Sequence, residues 1–129
     1  MDALPAYTSQ KNVDLFTRHG IYTREEIAAR AEIHMENYST VITIEANTMV
    51  DMIRHQILPA VSRYAADLCR RAAEKSACGV SCQFEKDTAA KVGALTDALA
   101  ATCSKLEEAV AQLPGETVQA MVYCHETII

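Results

Sequence analysis

Apolar positions recur along this chain with helical spacing. In TIEANTMVDMIRHQILPAV, residues 43 to 61, Met49, Met52, Ile53, Ile57 and Ala60 follow one another at three- and four-residue steps, and the line runs on through Tyr64 to Leu68. That period marks one face of an α-helix, so the spacing predicts a core-facing stripe in which the methionines serve as adaptable filler. A second stripe comprises Val92, Leu95, Leu99, Cys103, Leu106, Val110 and Leu113. Its steps of 3, 4, 4, 3, 4 and 3 are heptad-like with one irregularity. Pro114 and Gly115 close that helix, and ETVQAMVYCHETII opens another whose last residues carry no stop signal.

Upstream, residues 1 to 8 read as extended, and SQKNVDLFTRHG reads as one short helix. Ser9 is placed to cap it, Val13 and Phe16 share a face, and Gly20 ends it. IYTREEI then carries the most specific local signal. Thr23 and Glu26 have the spacing of a capping box, and Tyr22 and Ile27 flank it as a hydrophobic staple.

From Thr23 no glycine occurs until Gly79, and Pro59 is the one proline between them. An unbroken helix over that span would measure roughly 84 Å, against a radius of gyration of about 14 Å for a compact chain of this length. The pattern thus predicts an all-α fold: an elongated antiparallel helical hairpin or bundle of long helices with a kink near Pro59, whose ring removes a hydrogen bond to the His55 carbonyl. A single domain is expected, with a short helix at 9–19, a long arm at 23–78, a second long helix at 82–112 and the start of another at 116–129.

Composition narrows the function classes. Half of the 129 residues are hydrophobic, which predicts a folded domain. The 12 basic residues are interleaved with 17 acidic ones, so no nucleic-acid or anionic-membrane surface is expected. Five cysteines, an odd number, and a first segment without a signal-peptide pattern point to reduced thiols and a cytoplasmic setting. No uncharged apolar run reaches the roughly 18 residues that span a bilayer.

Candidate chemistry is sparse. Asp51 and His55, four apart, are neighbours on a helix with Arg54 beside them as an ion-pair partner for Asp51, but their line supplies no third strong ligand. Glu45 lies between Ile42 and Met49 on the apolar side, where a carboxylate requires a hydrogen-bonding partner; a structural role is expected. Cys78 and Cys82 are separated by GVS, matching neither CxxC nor a zinc knuckle, and His34 lacks HExxH spacing. No phosphate-binding glycine loop or nucleophile elbow occurs. No catalytic, cofactor-binding or metal residues are assigned, and Glu45, Met49, Met52, Ile53, Ile57, Pro59, Leu95, Leu99 and Leu106 are expected to act in packing.

Two gapless runs carry a family resemblance. SQKNVDLFTRHGIYTREEI, followed by ENYSTVITIEANTMVDMIRHQILPAVSRY, resembles the C-terminal region of type III glutamine synthetases. Ser9, Lys11, Asn12, Leu15, Phe16 and Gly20 stand at the positions of that family's first run. Ile44, Glu45, Ala46, Thr48 and Met49, then Ile57 to Ala60, stand at those of the second. ALTDAL, residues 94 to 99, is similar to a third segment, and the likeness is weakest around CGVSCQFEK. The resemblance implies a piece of a large cytoplasmic enzyme that joins ammonia to glutamate using ATP and divalent metal (Mg or Mn), assembled as a double hexameric ring. It implies that the metal- and phosphate-binding residues precede this region, and that the segment packs on the catalytic domain or on neighbouring subunits. Two competing expectations are a stand-alone helical interaction module and a small metal-dependent enzyme using Glu45, Asp51 and His55.

Overall fold

The computed structural model describes residues 6–129, and among them every regular element is helical. In order these are α1 (Gln10–Arg18), α2 (Arg24–Met52), a π-helical turn (Ile53–Ile57), α3 (Leu58–Ala77), α4 (Gln83–Ala111), α5 (Thr117–Tyr123) and a second π-helical turn (Cys124–Ile128). The expected extended start concerns mostly residues outside the described range; Ala6 and Tyr7 are helical. The chain divides into two packing units, one formed by residues up to Ile44 together with Leu113–Ile129, the other by Glu45–Gln112.

In the first unit, local chemistry sets the helix ends. Ser9 stands at the N-cap of α1, but its hydroxyl donates back to the Ala6 carbonyl instead of accepting from the helix, so the cap expected there does not form. Gly20 adopts φ 62, a left-handed conformation that costs glycine little, and the Ile21 N–H donates to Phe16 O across it to stop α1. The capping box at α2 is complete: the Thr23 N–H donates to Glu26 Oε2 at 2.8 Å, and the Glu26 N–H donates to Thr23 Oγ1 at 3.2 Å. Tyr7, Phe16 and Tyr22 follow one another at ring separations of 6.0 and 5.9 Å, with the Tyr7 to Phe16 contact tilted and Phe16 edge-on to Tyr22. The Arg30 guanidinium lies over the Tyr22 ring at 4.4 Å. Val13, Ile27, Ala31, Ala120, Met121 and Cys124 are buried. At α5 the Glu116 carboxylate accepts from the Val118 and Gln119 N–H groups, which satisfies two otherwise unpaired donors.

The second unit is built on α3 and α4, which pack against each other. Ion pairs fix their register: Lys75 meets Glu85 beside the turn, and Arg54 meets Glu107 near the other end. Residue numbers rising along one arm fall along the other. Gly79, at φ 73, turns the chain between them.

Two departures from the sequence pattern decide which side chains occupy the seam. The Leu58 N–H donates to Ile53 O, five residues back, so the π turn inserts one extra residue into the helical ladder just before Pro59, which has no N–H to give. Beyond it the phase advances by one position. Ile53 is buried as expected, but the seam continues through half-buried Leu58, Val61 and Ala65 to buried Leu68 and Ala72, leaving Ile57, Ala60 and Tyr64 exposed. On α4 the irregular step disappears once Leu95 is replaced by Thr96. Val92, Thr96, Leu99, Cys103, Leu106 and Val110 are then separated by 4, 3, 4, 3 and 4, and all are buried or half-buried. The Thr96 hydroxyl donates to Val92 O at 2.7 Å, which removes the penalty of placing a polar group in the seam.

Candidate functional site

The residues singled out from the sequence separate into two groups. Ile53, Leu99, Leu106 and Pro59 lie in or beside the packed seam. Met49, Met52, Ile57 and Leu95 are exposed in this chain: upstream of the π turn the inward line is Ala46, Val50 and Ile53, the extra residue of the turn gives the next seam position to Leu58 in place of Ile57, and on α4 Thr96 takes it in place of Leu95. Glu45 is exposed as well; Ala46 takes the buried position beside it, so the carboxylate needs no internal partner.

The polar candidates Glu45, Asp51 and His55 are not brought together in one cluster. Asp51 Oδ1 and His55 Nδ1 lie 2.8 Å apart in a pair open to solvent on both sides. Arg54 does not join them: it turns to α4, where its guanidinium donates to Glu107 and to Ser104 Oγ. The carboxylate holds the Arg54 pKa above its ordinary value through this hydrogen bond and the charge interaction. Among the described residues no three His, Cys, Asp or Glu side chains come together in a way that could hold a metal ion.

Two features escaped the sequence. The Glu85 side chain is 9% exposed in the hairpin tip, where Lys75 donates to Oε1 while Oε2 has no hydrogen-bond partner. The Lys75 hydrogen bond, then a backbone hydrogen bond and the Lys75 and Arg71 charges, hold its pKa below the ordinary value against the opposing effect of desolvation. The i+10 spacing of Lys75 and Glu85 gives no signal without knowing where the chain turns. In the other unit, Cys124 is fully buried. Its thiol donates to Ser39 O at 3.9 Å, and desolvation raises its pKa, with a hydrogen bond to Thr43 opposing.

Beside the α3–α4 seam runs an open groove of about 540 Å³, lined by Cys69, Ala73 and Ser76 of α3 and by Lys86 and Ala90 of α4. A smaller hollow next to the start of α2 adjoins donors already engaged by the Thr23 and Glu26 side chains. Small residues line the groove, and large apolar side chains lie exposed elsewhere, Phe84 at 71% exposure and Leu95 at 62% among them.

Comparison with known proteins gives this surface a context. The family model for the glutamine synthetase C-terminal domain matches residues 1–76, more than half of the chain. The chain belongs to that family. It is 34% identical over 132 residues to a glutamine synthetase of Butyrivibrio fibrisolvens, an alignment covering 99% of this chain and 19% of the relative. A type-3 glutamine synthetase of Dictyostelium discoideum is 39% identical over 59 residues, 46% of this chain and 8% of the relative. The chain thus spans about a fifth of the length of the Butyrivibrio relative. No solved structure matches it significantly. Among the described residues no helix is long and apolar enough to cross a membrane, and all five cysteines are free thiols.

Proposed function

We propose that this chain is a non-catalytic helical domain of a cytoplasmic glutamine synthetase, which packs on the catalytic domain or on neighbouring subunits and supports assembly of the enzyme. The observation that carries the reading is the alignment: nearly all of this chain corresponds to a small fraction of a relative named as a glutamine synthetase. Exposed large apolar side chains in the Glu45–Gln112 unit support it, since they suit contact with further protein. In this reading ATP, glutamate, ammonium and Mg or Mn are handled elsewhere in the enzyme, and neither nucleic acid nor membrane is a partner.

Two measurements test it. The chain incubated with ATP, glutamate, ammonium and Mg²⁺ or Mn²⁺ should release no glutamine above a protein-free control; measurable turnover overturns the non-catalytic assignment. In an intact glutamine synthetase carrying this domain, Met49→Asp or Leu99→Asp should shift the enzyme to smaller assemblies. Unchanged assembly in both variants overturns the structural role.

A further inference from the structure

We draw no further inference here: the strongest candidate, the open groove beside the α3–α4 seam lined by Cys69, Ala73, Ser76, Lys86 and Ala90, is a stripe of small residues, and nothing in the structure shows what covers it.

Discussion

Leu68→Ala and Tyr64→Ala, four residues apart on α3, separate the packing phase that the structure shows from the one the sequence pattern suggests. Leu68 is 5% exposed and Tyr64 51%. Truncating Leu68 removes apolar groups worth about 2 kcal/mol of transfer free energy, and a cavity left between two helices adds up to roughly 1.5 kcal/mol if the seam does not collapse. A cost of about 3 kcal/mol is expected. For Tyr64, half the ring stays in water in both states, and alanine's better helix propensity returns about 0.5 kcal/mol, so the net cost should be about 1 kcal/mol or less. With a urea m-value of about 2 kcal/mol per molar, the two variants should differ in midpoint by about 1 M. Equilibrium unfolding followed by circular dichroism reads that difference directly. A Tyr64→Ala variant that loses as much stability as Leu68→Ala would refute the phase shift at the π turn.

Other outcomes follow from individual interactions. Thr23→Ala breaks the capping box and should cost about 1 kcal/mol, seen as a thermal midpoint a few degrees lower; no shift would mean the cap is dispensable. Glu85, whose pKa is lowered by Lys75, stabilises the fold above the ordinary carboxylate pKa, and that contribution is lost as pH falls below it. Stability of the parent chain should therefore drop more steeply in acid than that of Glu85→Gln; parallel profiles from about pH 6 to about 3 would contradict the pairing. Iodoacetamide should label Cys69 and Cys78 in the native chain and reach Cys103 and Cys124 only after denaturation, as peptide mass spectrometry can show. Native labelling of Cys124 would count against its burial.

Features legible from the sequence are those set by neighbours along the chain. The all-α class follows from the three- and four-residue periodicity and scarce glycine. The Thr23–Glu26 box and the Gly20 stop are interactions among residues within a few positions of one another, so spacing alone specifies them. The resemblance of residues 9–27 and 36–64 to glutamine synthetases is likewise written in consecutive residues, and the family comparison bears it out. The expected ion pair of Arg54 with Asp51 failed because the π turn and the approach of α4 offered Glu107 instead.

Packing phase is a different kind of property. The sequence pattern favours Leu95 over Thr96 and Tyr64 over Ala65, yet the structure half-buries the smaller member of each pair and exposes the larger. Two helices in contact select side chains that fit between them, and a threonine that bonds its own backbone fits better than its hydrophobicity suggests. The extra residue before Pro59 compounds this, since one added position rotates everything downstream by about 100°. Sequence determined the helices, the Thr23–Glu26 cap and the family. Only the tertiary structure decided which of their faces meet and which are left open, because that choice depends on the register of two segments far apart in the chain.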